Sequence, residues 1–297
     1  MVPPVGIVDA HHHVWDLAVR PQPFLDTAAA LAPLRRNFLL PELAPQANAM
    51  GVTETVVVQT VTEPAETIEL LTLAETEPLV AAVVGWTDLA APSVADALSE
   101  FAVKVGGQRL AGIRHPLLTE PDPDWLERAD TRRGLSALAA AGLTFDLVLP
   151  PSQLPAAVRA AASLPDLRFV LDHLGNVAVR PQPDPAWAAA FTALGSLPNT
   201  ACKLSGIFSV PAPASEQGSS GDPDGSVAHL RPYLDLALAS FGPDRLMFGS
   251  DWPVCTLGAS YTDVVTAAVT LTATLSGPER AAILGGTARS VYGIRSI

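Results

Sequence analysis

The alternation of short apolar segments with longer helical ones is the feature that most constrains the fold of this chain. Eight segments rich in β-branched and other apolar residues are predicted strands: "VGIVDAH", "VTETVVVQT", "LVAAVVGWT", "RLAGIRH", "LTFDLVL", "LRFVLDH", "TACKLSG" and "DRLMFGSD". Segments with helical spacing are predicted at 65–77, 93–104, 133–141, 153–163, 184–194, 228–241, 260–275 and 278–284. Strands that alternate with helices form βαβ units and a parallel sheet. Eight such strands predict a closed (β/α)8 TIM barrel, an α/β fold, with residues 1–297 as a single domain.

The competing architecture is an open doubly wound sheet. That fold commonly carries a glycine-rich turn after its first strand, and no GxGxxG follows Asp9. Two long connections interrupt the alternation: residues 17–40 after the first strand and residues 209–226 after the seventh. The second connection is dense in Pro, Gly, Ser and Asp, which predicts a mobile surface loop. It is either a tolerated insertion or a lid over the mouth of the barrel.

Composition excludes several classes of partner. The chain has 30 acidic and 18 basic residues, a net charge of −12, and no basic cluster, which argues against nucleic acid and anionic membranes. No apolar stretch is long enough for a membrane span, and the start of the chain lacks a signal-peptide pattern. Cys202 and Cys255 lie in apolar surroundings, where buried thiols are expected, and they fit a reducing cytoplasm. The sequence is compatible with a homodimer.

Polar residues are concentrated where the predicted strands end. The active site of such a barrel lies at the C-terminal ends of the strands, so these residues are the candidates for chemistry. In strand order they are Asp9, His11 and His13, then Gln59, Trp86, Arg114 and His115, then Asp146, Asp172 and His173, and finally Lys203, Ser205, Ser250 and Asp251.

The triple histidine of "VDAHHHVWD" divides into a pair and a single residue. Side chains alternate between the faces of a strand, so His11 and His13 are predicted to share a side with Asp9. His12 then faces the helices as a hydrogen-bonded packing residue. His11 and His13, with His173 and Asp251 on later strands, suit one divalent metal, zinc above all.

A metal-free site would use the same side chains differently. Asp251 would take a proton from water as general base, while the histidines orient the substrate or polarise a carbonyl. Both versions activate water and imply hydrolysis. The predicted catalytic residues are Asp251 and His173.

The predicted substrate-binding set is Trp86, Arg114, His115, Asp146 and Lys203. Arg114 and Lys203 either contact a substrate carboxylate or carbonyl, or neutralise Asp146 or Asp172 in a buried pair. Trp86 either packs against a ring of the substrate or belongs to the packing of the barrel. Asp172 precedes His173 and is therefore predicted to point away from it, as a structural residue.

The motifs "VDAHHHVWD", "GWTDL", "GIRH", "VLDHLGN", "CKLSGI", "FGPDRLMFGSDWPVC" and "GGTARSVYGI" resemble the amidohydrolase superfamily. Within it they are similar to the L-fuconolactonase and L-rhamnonolactonase group. The resemblance implies a (β/α)8 barrel that opens a lactone to a hydroxy acid. It also implies that His11, His13, His173 and Asp251 act with or without one divalent metal. Asp251 would be the general base, and Arg114 and Lys203 would contact substrate.

The sequence departs from the superfamily pattern at two strands and one loop. The fourth strand ends in Arg114 and His115 instead of a bridging ligand, and Asp146 replaces the usual histidine of the fifth strand, so two metals are not expected. The loop after "CKLSGI" has no aromatic residue beyond Phe208.

Three other functions remain open beside the sugar lactonase. Two are activities on the same scaffold: a hydrolase of a carboxylated aromatic-pathway lactone of the 2-pyrone-4,6-dicarboxylate type, and a decarboxylase. The third is a non-catalytic binding protein, which the retention of four convergent polar groups argues against.

Overall fold

Eight parallel strands pair in sequence order in the computed structural model, which describes residues 6–208 and 227–294. The strands are β1 Ile7–His12, β2 Val52–Val58, β3 Val80–Gly85, β4 Leu110–Pro116, β5 Thr144–Val148, β6 Phe169–Leu171, β7 Thr200–Leu204 and β8 Leu246–Phe248. A bridge between His12 and Trp252 joins the segment after β8 to β1 and closes the ring. The predicted (β/α)8 barrel is confirmed.

Helices cover the outside of the barrel. Among the described residues, the α-helices of five or more residues are Leu40–Ala49, Pro64–Thr76, Val94–Ala102, Ala129–Ala140, Leu154–Ser163, Pro185–Gly195, Arg231–Phe241, Tyr261–Leu271, Gly277–Ala281 and Thr287–Tyr292. The first of these was not predicted because Pro45 lies inside it. Leu40, Leu43 and Ala47 share its buried face and stabilise the helix by packing. In the described residues, no helix combines the length and apolar character that a membrane crossing requires.

Strand residues alternate between two apolar layers. Val56 and Val58 of β2 belong to the inner layer, whereas Val57 packs outward against the helices. Small side chains fill the narrow interior, as expected for an eight-stranded barrel. Ala288 and Tyr292 of the C-terminal helix pack with this inner layer and close the N-terminal end of the barrel. The two cysteines are buried and unpaired, as predicted.

The long connection after β1 has structure of its own. It forms two short 3-10 helices, Pro23–Asp26 and Ala29–Leu34, and buries Leu34 and Phe38. Phe38 exchanges backbone hydrogen bonds of 2.8 and 2.9 Å with Trp15. The connection therefore packs on the barrel. The predicted mobile loop at 209–226 lies outside the described residues.

Candidate active site

Three predicted ligands converge at the C-terminal mouth of the barrel. His11 Nε2 lies 3.2 Å from His13 Nε2. Asp251 Oδ1 lies 3.7 Å from His11 Nε2 and 3.5 Å from His13 Nε2. All three residues are buried. The His-x-His pair and the carboxylate therefore face one point, as predicted.

His173, which follows β6, joins this group. Its Nε2 lies 3.9 Å from Asp251 Oδ1, and its Nδ1 is 2.8 Å from the hydroxyl of Ser205. His173 and Asp251 both have left-handed backbone conformations, with φ of 53° and 59°. Such conformations cost about 1–3 kcal/mol each in non-glycine residues and concentrate at functional sites.

His13 and His12 have different partners. The carbonyl oxygen of Val58 can only accept, so His13 donates through Nδ1 at 2.7 Å and keeps a lone pair on Nε2. The ring of His12 faces outward, where its Nε2 lies 2.9 Å from Thr55 Oγ1. Burial lowers the pKa of His12 to about 3, so this ring is neutral. The prediction of His12 as a hydrogen-bonded packing residue is confirmed.

Asp9 does not share the side of His11, and that prediction was wrong. Its carboxylate accepts from Ser250 N at 2.8 Å, from Ser250 Oγ at 2.6 Å and from the hydroxyl of Tyr261 at 3.2 Å. Tyr261 belongs to an outer helix, so Asp9 points away from the barrel axis. The pairing of β1 with β2 shifts register between Asp9 and His12, which breaks the strict alternation. Burial raises the pKa of Asp9 to about 6.

A fully buried ion-pair network lies beneath the histidines. Lys203 Nζ is 2.7 Å from Asp146 Oδ2, 2.9 Å from Asp172 Oδ1 and 3.1 Å from His11 Nδ1. Lys203, Asp146 and Asp172 each have 0% exposure. This arrangement fits the buried-pair alternative. Contact of Lys203 and Asp146 with substrate stays a prediction.

Asp172 belongs to the site, contrary to prediction. Its Oδ1 lies 3.4 Å from His11 Nδ1 and its Oδ2 lies 3.2 Å from Arg114 Nη1. Strand β6 ends at Leu171 and the backbone turns left-handed at His173, so both side chains reach the site. Burial opposes the charge of Asp172, but Lys203, His11 and Arg114 hold its pKa well below the ordinary value.

Arg114 connects this network to the imidazoles. Its Nη1 lies 3.3 Å from His11 Nε2, and its Nη2 donates to the backbone oxygen of Gln59. The Nε of Arg114 is buried without a hydrogen-bond partner in the described residues. Contact between Arg114 and substrate stays a prediction.

Trp86 and His115 form a cluster at the rim between β3 and β4. Trp86 Nε1 donates to His115 Nδ1 at 3.3 Å, and His115 Nε2 donates to Glu120 Oε2 at 2.9 Å. The imidazole also stacks on Trp125 with 4.1 Å between ring centroids. Both ring nitrogens of His115 therefore have partners within this cluster, and its contact with substrate stays a prediction. Trp86 is half-buried, and its contact with a substrate ring stays a prediction.

Glu120 and Trp125 were missed because they lie in the irregular loop after β4. The tryptophan of "PDPDWLE" was the available signal. Tyr292 was also missed. Its hydroxyl donates to Asp146 Oδ2 at 2.7 Å, and nothing in the sequence of the terminal helix indicates that reach.

The donor set fits a divalent metal ion. The ligand atoms of His11, His13 and Asp251 lie within 4.8 Å of one another, and His11, Asp172 and His173 form a second such group. Burial lowers the pKa of both His11 and His173, which keeps the imidazoles neutral as metal binding requires. Ligation through His11 Nε2 places the ring proton on Nδ1, where Asp172 can accept it.

A protein-family model described as amidohydrolase matches residues 8–294. The chain belongs to the amidohydrolase family. It is 37% identical over 295 residues to an L-fucono-1,5-lactonase from Burkholderia multivorans, covering 97% of this chain and 96% of the relative. An L-fucono-1,5-lactonase from Burkholderia ambifaria is 34% identical over 260 residues, covering 86% and 83%.

The fold of this amidohydrolase-family chain also matches solved structures. A crystal structure of an amidohydrolase from Burkholderia multivorans with bound zinc superposes with a TM-score of 0.86 at 35% identity, covering 97% of this chain and 99% of that one. The resemblance inferred from the motifs is therefore confirmed.

Proposed function

We propose that this protein hydrolyses a sugar-acid lactone of the L-fuconolactone or L-rhamnonolactone type to the hydroxy acid. The observation that carries the proposal is the convergence of Asp251 with His11, His13 and His173 at the mouth of the barrel. The relatives named L-fucono-1,5-lactonase support the same reaction, and their similarity spans nearly the whole chain.

Asp251 is the general base. Burial acts to raise its pKa, but His173 and His13 outweigh that effect and lower it. The carboxylate is therefore ionised at neutral pH and can accept a proton from water. Its left-handed backbone aims it between His13 and His173, where the water would stand.

His173 is the hydrogen-bond donor to the lactone carbonyl. In this role His173 Nδ1, 2.8 Å from the Ser205 hydroxyl, accepts from it, and the ring proton is on Nε2 beside Asp251. That N–H and the guanidinium of Arg114 would stabilise the oxyanion that forms when water attacks. Removal of one such donor costs about 3 kcal/mol of transition-state stabilisation.

We further propose that His11, His13 and Asp251 hold one zinc ion. The fit of the donors and the zinc in the 35% identical structure support this. Bound zinc would polarise a carbonyl and lower the pKa of water. In the metal-independent alternative, Asp251 is the general base and the histidines orient the substrate or polarise its carbonyl.

Zinc content separates these two versions. Elemental analysis of protein purified without a histidine tag should give one zinc per chain. A His13→Ala variant should lose it, since a tetrahedral site would be left with too few protein ligands. Full lactone hydrolysis by protein with no bound metal would select the metal-independent version.

A panel of lactones tests the substrate class. L-Fuconolactone and L-rhamnonolactone should be opened, with acid release followed by a pH indicator, while 2-pyrone-4,6-dicarboxylate should not. The dicarboxylate needs several cations at the mouth, and Lys203 is buried in its ion pairs, which leaves Arg114. Preferential hydrolysis of the dicarboxylate, or decarboxylation of an aromatic acid, would replace the proposal.

We propose a cytoplasmic enzyme of carbohydrate metabolism, as a homodimer, with a small-molecule substrate. The net charge of −12 supports the expectation of no nucleic-acid or membrane partner.

A further inference from the structure

Of the five tryptophans in the chain, Trp86 lies outside the apolar packing of the barrel. The other four, Trp15, Trp125, Trp187 and Trp252, are at most 4% exposed and pack in the outer apolar layer. Trp86 is half-buried and, within the part of the chain that the structure describes, belongs to neither layer. It directly follows β3, at the C-terminal mouth of the barrel. Core packing therefore does not account for its place.

Hydrogen bonds hold Trp86 at both its backbone and its ring. Its backbone N–H donates to Thr67 Oγ1 at 2.8 Å, and its backbone oxygen accepts from the same hydroxyl at 2.9 Å. Its indole Nε1 donates to His115 Nδ1 at 3.3 Å. A ring that is already fixed in the free protein loses little rotamer freedom when a ligand packs against it.

His115 can receive the indole in one protonation state only. An indole N–H can only donate, so His115 Nδ1 must accept, and the proton of the neutral imidazole is then on Nε2. Glu120 Oε2 lies 2.9 Å from that nitrogen and accepts the proton's hydrogen bond. The imidazole also lies flat on Trp125, with 5° between the ring planes. Glu120 thus sets the tautomer of His115, and Trp125 sets the plane of its ring.

This cluster lies next to the residues proposed to act on the lactone. Gly85 of β3 pairs with Ile113 of β4, so Trp86 is level with Arg114 on the neighbouring strand. Arg114 Nη1 lies 3.3 Å from His11 Nε2. A lactone whose carbonyl oxygen is held by Arg114 would therefore have its ring beside Trp86. The C–H groups on one face of a sugar ring suit the electron-rich face of an indole.

We propose that Trp86 is the platform against which the C–H face of the sugar-lactone ring packs, and that His115 is the positioning residue that fixes this platform through Glu120 and Trp125. The proposal deepens the hydrolysis proposed above and rests on it for the identity of the ring. None of these side chains is a proposed zinc ligand, so their contacts do not depend on a metal. The fixed indole is a property of the free protein and can be measured without substrate.

Trp86→Ala removes the platform. On the preferred lactone we expect KM to rise about 10-fold and kcat to stay within about twofold, because a contact that is equal in the bound and the reacting ring contributes to binding alone. Trp86→Leu replaces this variant if the alanine variant does not fold, with the same result expected. A KM within about twofold of the wild-type value in the folded variant would overturn the platform.

His115→Leu tests the positioning role with a readout that needs no substrate. In a 1H–15N spectrum, the Trp86 indole signal is identified by its absence from the Trp86 variant. His115→Leu should move this signal and speed the exchange of its proton with D2O. KM should rise about threefold, because the released indole must be ordered again on binding. Glu120→Ala should have the same effects, because the Nε2 proton of His115 loses its acceptor.

Glu127→Ala is the matched control for Glu120→Ala. Glu127 lies in the same connection between β4 and the following helix, but its partner is Arg159 of helix Leu154–Ser163. This variant should keep the wild-type Trp86 signal and KM even if its melting temperature falls.

An unmoved Trp86 signal in His115→Leu would overturn the positioning role, and so would equal shifts in Glu120→Ala and Glu127→Ala. If the wild-type protein opens no lactone, the proposed reaction fails, while the spectra still decide whether His115 fixes Trp86. The platform is then judged with L-fucose, which has the same kind of ring as L-fucono-1,5-lactone but no ester bond. A saturable shift confined to the Trp86 signal would support the platform, and an unmoved signal would overturn it.

Discussion

His173 and Asp251 show how single residues depart from regular structure to build this site. Each follows a three-residue strand and takes a left-handed backbone conformation. Hydrogen bonds then hold the strained segments: Asp251 N donates to the His11 backbone oxygen at 2.8 Å, and Ser205 bonds to the His173 ring. The surrounding structure thus fixes side chains that the strands alone would not aim.

Ser205→Ala tests the orientation of His173. Loss of the hydroxyl leaves His173 Nδ1 without its partner. The ring can then rotate, and no hydrogen bond to Nδ1 holds the ring proton on Nε2. We expect kcat to fall about 10-fold with little change in melting temperature. Steady-state kinetics on the preferred lactone measures this. The control is Ser196→Ala, whose exposed hydroxyl bonds only within its helix end and should leave kcat unchanged. Equal kcat in both variants would contradict the role of Ser205.

The pH dependence of hydrolysis follows from the pKa directions. Burial lowers the pKa of His11 and His173 below the ordinary value of 6.5, so both rings stay neutral as pH falls to that value. His173 and His13 lower the pKa of Asp251 despite its burial, so the base stays ionised over the same interval.

We therefore expect kcat/KM to stay level from neutral pH down to 6.5 and to fall only at lower pH. Initial rates corrected for spontaneous lactone opening give this profile. A half-loss of kcat/KM at or above pH 6.5 would show that a required imidazole titrates normally.

The sequence predicted the direction of single side chains correctly where successive residues of a strand alternate between its two faces. His12, His13 and Thr55 follow the pleat, so the outward packing of His12 was predictable. It failed at Asp9, because a register shift intervenes, and at Asp172, because the strand has already ended. No residue pattern around Asp9 indicates the register shift, and none around Asp172 indicates the early end of the strand.

Arg20 adds ion pairs to the packing that holds the connection after β1 on the barrel. Arg20 donates to Glu69 at 2.6 and 3.0 Å and to Glu63 at 2.8 Å, and its side chain is 11% exposed. Glu63 precedes helix Pro64–Thr76 and Glu69 lies within it, so Arg20 joins the connection to that helix.

Arg20→Ala should loosen this connection. The two glutamates are 57% and 50% exposed, so solvent screens the pairs, and we expect a loss of about 1 kcal/mol in the free energy of unfolding. Limited proteolysis should cut within 17–40 faster than in the wild type. Arg128→Ala, which removes an exposed pair with Asp130, is the control and should change neither measurement. A cleavage rate equal to that of the wild type would show that the Arg20 ion pairs do not restrain the connection.

At the scale of the whole molecule, alternation alone predicted the architecture. All eight predicted strands are present because parallel strands buried on both faces are continuous apolar runs. The network beneath the mouth was not predictable in its pairing. Tyr292, Asp146 and Lys203 are far apart in the sequence, and only barrel closure brings them together.

The most direct test of the central claim is lactone hydrolysis by an Asp251→Asn variant. The amide has nearly the same shape as the carboxylate but cannot accept a proton from water, so turnover of L-fuconolactone should fall by a factor of about 10²–10⁴. The circular dichroism spectrum and melting behaviour should stay close to those of the wild type. Near wild-type kcat/KM in a folded Asp251→Asn protein would contradict the assignment of Asp251 as the base.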